Sequence, residues 1–342
     1  DHYEYRQDDR EVRQSIIRTI VAHLKVDSKV KWSDLDFDFT GAHLDNADFS
    51  YAIFNKRVSF DRAELVGSST GFNHATFTAS ASFKEAKFRS VRATFDYAKF
   101  LGANNTFSGA KFVTMNISFE EAEFAGDGLT NFTDSTFEGG DTLFGSVQFN
   151  ARHTLFVRTK FHSARTWFSD ATFDGSMTSF QGSTFVGEVA DFDRAIFRAK
   201  RTTFQKAEFM GGSTSFVGSE FLGESTSFGH VKFNGYQTSF DKSKFGVTQA
   251  NFGGAEFNSE GGTTFYHARF VGGRISFRWS IFNGTVSFDL PEVWANIEFD
   301  WSAQVPLKMK KWKPDNVSPD VWPPALMEPS SVEDDEVSKV RE

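Results

Sequence analysis

Three glutamates, Glu120, Glu121 and Glu123, form the densest group of carboxylates in the central part of this 342-residue sequence. Neighbouring carboxylates can perform general acid–base chemistry when a concave, partly desolvated site shifts their pKa values. Glu120 and Glu121 directly follow Phe119, where the chain is expected to leave a strand and turn a corner. Such a position favours solvated side chains, so we predict a solvated face and no catalytic residue.

Other reactive residue types are scattered or missing. His74, His230 and His267 share a phase of the repeat described below but lie far outside the spacing of a metal-binding loop. Asp127 and Asp141 are isolated, whereas a calcium-binding β-roll needs aspartates at a fixed phase after glycine. The sequence contains no cysteine, which excludes thiol catalysis, disulfides and cysteine-based zinc sites. We therefore predict no metal, no cofactor and no enzyme.

The dominant pattern is a regular recurrence of phenylalanine, which supplies 43 of the 342 residues. Between residues 60 and 288 the spacing of these phenylalanines alternates between five and, in most coils, seven residues. Each repeat therefore contains a pair of phenylalanines. A small residue, most often Ala, stands two positions before one phenylalanine of the pair, and Thr often stands two positions before the other. Residues two apart lie on the same face of a strand. The pattern therefore predicts short strands that point a ring and a small side chain inward.

A repeat of fixed period indicates a solenoid, in which each unit buries its apolar face against its neighbours. Twelve residues enclose too little space for two rings at the packing density of protein interiors, so we assign 24 residues and four rings to each coil. Phe180, Phe204, Phe228 and Phe252 should then stack, one coil apart. The prediction is ten to eleven coils and a rod on the order of 50 Å long.

The first part of the repeat, FTGAHLDNADFSYAIF, places Phe39, Leu44, Phe49 and Phe54 at strict five-residue intervals, with Ala two positions before the last three. In this the chain resembles the pentapeptide-repeat family, over roughly residues 35–290. The resemblance implies an all-β fold, a right-handed quadrilateral β-helix. The chain departs from the family pattern at its seven-residue steps, so the shape of those corners stays open.

The flanking segments break the repeat. Residues 1–34 are predicted to form an N-terminal cap, with a helix over 8–25 whose apolar stripe runs from Val12 to Leu24, and with Trp32 beside it. Residues 291–327, rich in Trp and Pro, are predicted to be an irregular C-terminal cover. Residues 328–342 are acidic and predicted to be disordered. The alternative for the helix and for the Trp-rich segment is presentation to a binding partner.

The net charge of −8 does not come from the repeat. Residues 60–288 contain 22 Asp and Glu and 22 Lys and Arg, so the acidic excess lies in the flanks. The pentapeptide-repeat family is known for mimicry of DNA at type II topoisomerases, which requires a rod that is acidic along its length. Opposite charges could still segregate onto different faces of the rod. A DNA-mimicking regulator of DNA gyrase therefore remains the alternative function.

The leading hypothesis is a non-enzymatic rigid scaffold or protein–protein interaction module. Its partner is an unknown protein, and a homodimer is an open alternative. No basic stripe indicates direct nucleic-acid binding, and no apolar run is long enough to span a membrane. We expect a cytoplasmic protein, with a fragment of a longer, membrane-anchored chain as the alternative.

Overall fold

The structure is a computed structural model that describes residues 7–327, with side chains from residue 9 onward. It is an all-β parallel solenoid of about eleven turns, preceded by one α-helix, Gln7–Leu24. A short 3-10 helix, Leu307–Met309, lies near the C-terminal end, before the final strand, Val317–Ser318. The sequence prediction of an all-β solenoid with an N-terminal helix is thus confirmed. The expected disorder of residues 328–342 lies outside the described residues.

Each coil has four sides, numbered 1 to 4 in chain order, and each side contributes one inward ring. The strands form three parallel sheets rather than four, because sides 2 and 3 share one sheet. Side 1 consists of twelve strands: Phe37–Asp38, Val58–Ser59, Ala81–Ser82, Asn104–Thr106, Leu129–Asn131, His153–Leu155, Met177–Ser179, Arg201–Thr203, Ser225–Ser227, Gln249–Asn251, Arg274–Ser276 and Ile297–Glu298. Side 4 consists of eleven: Ile53–Phe54, Thr76–Phe77, Lys99–Phe100, Glu123–Phe124, Gln148–Phe149, Thr172–Phe173, Ile196–Phe197, Glu220–Phe221, Lys244–Phe245, Arg269–Phe270 and Val293–Trp294.

The shared sheet shows how the chain passes the corner between sides 2 and 3. In five successive coils one strand of eight residues runs through that corner without interruption, as in Lys111–Ser118. In the other coils the two sides have separate strands. The 17 strands are His43–Asp45, Glu64–Val66, Ser69–Gly71, Lys87–Phe88, Arg92–Thr94, Lys111–Ser118, Thr136–Leu143, Lys160–Trp167, Thr184–Asp191, Glu208–Ser215, Lys232–Phe233, Gln237–Ser239, Glu256–Phe257, Thr263–Thr264, Ile281–Phe282, Val286–Ser287 and Val317–Ser318.

The core consists of four columns of stacked rings. Phe204 lies 5.0 Å from Phe228, with the two ring planes parallel, and Phe228 lies 4.8 Å from Phe252. Across the coil, Phe228 meets Phe216 and Phe240 edge to face at 5.8 and 5.6 Å. Offset stacking and edge-to-face contacts are the arrangements that aromatic quadrupoles favour. The predicted stacking of rings one coil apart is confirmed.

The two step lengths have different corner geometries. A five-residue step contains a tight turn, in which the Ala195 N–H donates to the carbonyl oxygen of Phe192 at 3.0 Å and Arg194 takes a left-handed φ of 56°. A seven-residue step contains a wider corner that accepts insertions. Phe107 therefore stacks on Phe132, 25 residues later, although 24 is the usual interval.

The two ends of the solenoid are covered differently. Val21 and Leu24 of the α-helix are buried against the first coil, and Trp32 stacks on His23 at 4.2 Å. The helix uses only its last turns in this way, because Val12 lies exposed at the other end of its apolar stripe. At the C-terminal end the ring stacking continues past residue 290 as far as Phe299, 5.0 Å from Phe277.

Candidate interaction surface

The residues that directly follow the rings of side 3 form an acidic edge at the turn into side 4. Successive rings of this column stack at 4.6–5.0 Å from Phe95 to Phe288, so the residues after them also lie one above another. Within the described chain this position holds no Lys or Arg. We call its five acidic residues the acidic corner: Asp96, Glu120, Asp193, Asp241 and Asp289.

Several of these carboxylates have a structural task. Asp96 accepts a hydrogen bond from the backbone N–H of Glu120 at 3.1 Å and another from the Ser118 hydroxyl. Asp193 accepts from the backbone N–H of Val217 at 3.0 Å in the same way. Each carboxylate therefore ties its own turn to the turn of the next coil. These bonds explain why aspartate suits this position whether or not a partner binds there.

Two of these carboxylates, Asp96 and Glu120, are held in an environment that opposes their ionisation. Burial raises the pKa of Asp96, although its bonds to Ser118 and Glu120 act in the opposite direction. Partial desolvation also raises the pKa of Glu120, although this residue is exposed, and the negative charges of Asp96 and Glu121 add to that effect. A cation brought to this edge by a partner would relieve the repulsion among these groups.

Beside the acidic corner lies a ladder of exposed aromatic rings, one position further along each turn. Tyr51 stacks on His74 at 4.8 Å, and His74 stacks on Tyr97 at 4.8 Å. The Tyr97 hydroxyl donates a hydrogen bond of 2.9 Å to Glu121, and this bond raises the pKa of Tyr97. All three rings occupy turn positions with φ between 56° and 63°. The ladder was not predicted from the sequence, because it becomes visible only when residues about 23 apart are aligned.

About half of the basic residues in the repeat form ion pairs, most of them between adjacent coils. Arg158 lies 2.7 Å from Asp134, and Arg165 lies 2.7 Å from Asp141. The hydrogen bond from Arg158 lowers the pKa of Asp134. The two partners of each pair are 24 residues apart, because they occupy the same column on adjacent coils. They leave the acidic corner as a distinct edge on a rod whose repeat is neutral in total.

The structure separates residues that the sequence analysis had grouped. Glu123 lies on the side 4 strand, in register with Lys99 and Gln148, away from the turn that carries Glu120 and Glu121. His74 and His267 share a corner but lie eight coils apart. His230 lies on the diagonally opposite corner, between sides 1 and 2. Among the described residues, no cluster of His, Asp and Glu has the geometry to hold a metal ion.

One concave feature was not anticipated from the sequence. An open groove of about 580 Å³ lies between the N-terminal helix and the first coil. Gln14 and Arg18 line it from the helix, and Asp45 and Asp48 line it from the coil. Its charges are mixed, and it holds no arrangement of nucleophile, base and orienting group.

Comparison with known proteins supplies no relative. No protein-family model, curated protein or solved structure matches this chain. The described chain also has no helix that is both long and apolar enough to cross a membrane.

Proposed function

We propose that this chain is a rigid, non-enzymatic protein-interaction module that presents its acidic corner to a basic face of a protein partner. The observation that carries the proposal is the column from Asp96 to Asp289, in which five of nine positions are acidic and none holds Lys or Arg in the described chain. Charge complementarity of this kind steers association and selects partners more than it adds affinity.

The construction of the core favours a surface function. The four ring columns fill the interior, and Phe204, Phe216 and Phe228 have no exposed surface. Recognition must therefore occur on the outside, where adjacent coils repeat every 4.8 Å or so. A solenoid with such spacing holds side chains at fixed distances over a long edge, which suits an extended partner surface.

A DNA-mimicking regulator is the second candidate, since the acidic corner has the right sign of charge. From Asp96 to Asp289 the corner crosses eight ring-to-ring steps of about 4.8 Å, or about 38 Å. Duplex DNA of that length carries about 22 negative charges, whereas the acidic corner carries five carboxylates. The adjacent turn position adds Glu121 and Asp170 but also Arg194 and Lys242. This deficit in charge density favours the interaction module.

The test uses the whole chain with two charge reversals at equivalent turn positions. Glu121 and Glu85 both occupy left-handed turns, with φ of 54° and 58°, but only Glu121 lies beside the acidic corner. The two variants are Glu121→Lys and, as the matched control, Glu85→Lys. Immobilised wild-type and variant chains are compared for the proteins that they retain from the source cell extract, identified by mass spectrometry.

We expect a partner retained by the wild type and by Glu85→Lys to be lost with Glu121→Lys. Loss with both variants would assign the effect to net charge and contradict the acidic corner as the binding surface. In parallel, a supercoiling assay with DNA gyrase and micromolar protein should show no inhibition. Strong inhibition that disappears between low and moderate salt would favour DNA mimicry instead.

A further inference from the structure

A segment at the C-terminal end of the rod exposes large apolar side chains that the cover does not use. Trp294 and Trp301 pack against Trp322 over the last coil, at ring distances of 5.4 and 5.6 Å. Trp312 differs from them, because it is 95% exposed, and Leu307 is 89% exposed. Capping of the core therefore explains three tryptophans but neither Trp312 nor Leu307.

The same segment is strongly basic. Residues 306–314 read PLKMKKWKP, with four lysines and no acidic residue. We call this segment the basic loop. Two acidic residues border it: Asp315, which follows it in the sequence and is exposed, and Asp300, which is buried beside Arg278 and Lys311 at 3.7 and 3.1 Å. The four lysines and Arg278 thus exceed the two aspartates by three charges.

The basic loop is anchored at both ends. Before it, Val305 is buried; after it, Val317 is buried and pairs in parallel with Val286 of the last coil. The Lys311 N–H donates to the Asp300 carbonyl oxygen at 3.0 Å, and the Lys311 ammonium lies 5.6 Å from the centre of the exposed Trp279 ring. Between these anchors every residue from 306 to 312 is exposed. The solenoid therefore presents the loop in a defined place at its end.

We propose that the basic loop binds the surface of a bilayer that contains anionic lipids. Lysines beside a membrane gain from the negative surface potential, and tryptophan prefers the boundary between headgroups and acyl chains. Leu307 and Met309 add apolar surface that can enter the same boundary. Nucleic acid would match the lysines, but it offers no apolar region for Leu307 and Met309.

The position of the loop determines which part of the rod meets the bilayer. The basic loop lies between the side 1 strand Ile297–Glu298 and the side 3 strand Val317–Ser318, so the C-terminal end of the rod makes the contact. The acidic corner then remains free along the rod for a protein partner. This proposal does not depend on the proposed function, because the two surfaces share no residue.

The test measures co-sedimentation of the full chain with lipid vesicles at moderate salt. The vesicles are phosphatidylcholine alone, or phosphatidylcholine with about 30% phosphatidylserine. We expect binding to the anionic vesicles only. Replacing Lys308 and Lys310 together by Ser should weaken that binding about 25-fold, since each lysine near the surface is worth about fivefold. Trp312→Ser should weaken it several-fold while the loop keeps all its charges.

The matched control replaces Lys84 and Lys200 by Ser, which removes the same charge from exposed sites outside the basic loop. The control should bind as the wild type does, and unchanged thermal melting should show that all variants remain folded. Equal binding to both kinds of vesicle, or an equal loss in the control, would overturn the proposal. So would binding that Trp312→Ser leaves intact, or a preference for RNA or an acidic peptide with no binding to vesicles.

Discussion

The buried threonines of side 1 provide a test of the core in which two similar substitutions should have opposite effects. Thr154, Thr178 and Thr202 are adjacent in register, and their side chains are buried. The described chain offers no hydrogen-bond partner to the hydroxyl of any of the three. Thr142, on side 3, is equally buried, but its hydroxyl lies 2.6 Å from that of Ser163.

Valine has the shape of threonine, with a methyl group in place of the hydroxyl. A buried polar group without a partner costs about 1–3 kcal/mol, so Thr178→Val should raise the free energy of unfolding by about 1 kcal/mol. Thr142→Val should lower it by about 1–2 kcal/mol, because it removes one partner and strands the Ser163 hydroxyl. Unfolding in guanidinium chloride measures both effects: the denaturant concentration at the midpoint should shift, while the dependence of the free energy of unfolding on denaturant stays the same. A destabilised Thr178→Val would contradict this prediction, since it would mean that the Thr178 hydroxyl has a hydrogen-bond partner.

Two other substitutions test the ring columns and the acidic corner. Phe228→Ala should lower the free energy of unfolding by about 3–5 kcal/mol, because Phe204 and Phe252 are held by their own coils and cannot close the cavity; a midpoint equal to the wild type would contradict the stacking. Glu120→Gln should stabilise the chain by a few tenths of a kcal/mol at pH 7. The folded pKa of Glu120 is raised, so its favourable contribution exists at acid pH and is lost as the pH rises through that pKa. The gain in melting temperature should therefore vanish near pH 3, and a gain independent of pH would exclude the carboxylate as its cause.

Much of the fold was predictable because one residue type occurs at one repeated position. Phe204 and Phe228 could be placed in one column from their spacing, since a solenoid must superpose its apolar positions to bury them. The N-terminal helix was also predictable from its apolar spacing, and the structure places it over Gln7–Leu24. The part of the apolar stripe that is buried could not be predicted. Val12 lies beyond the area that the first coil covers, and it is exposed.

The surface was much less predictable. The repeat contains equal numbers of acidic and basic residues and is therefore neutral in total. These numbers do not show which charged residues lie on the same edge of the rod. Asp96 and Asp193 are 97 residues apart in the sequence, yet they stand on the same column because every coil returns to the same corner. The stacking of Tyr51, His74 and Tyr97 likewise depends on coils of 23 residues, one fewer than the usual interval.

The sequence alone therefore determined the solenoid, its four inward rings per coil and the place of its N-terminal helix, because burial of apolar rings acts through a local, periodic pattern. Only the tertiary structure decided that sides 2 and 3 share a sheet, that acidic residues gather at one corner, and that Trp312 stands exposed while Trp294, Trp301 and Trp322 cover the core. These features depend on corner lengths and on contacts between coils, which vary from turn to turn and leave no periodic trace in the chain.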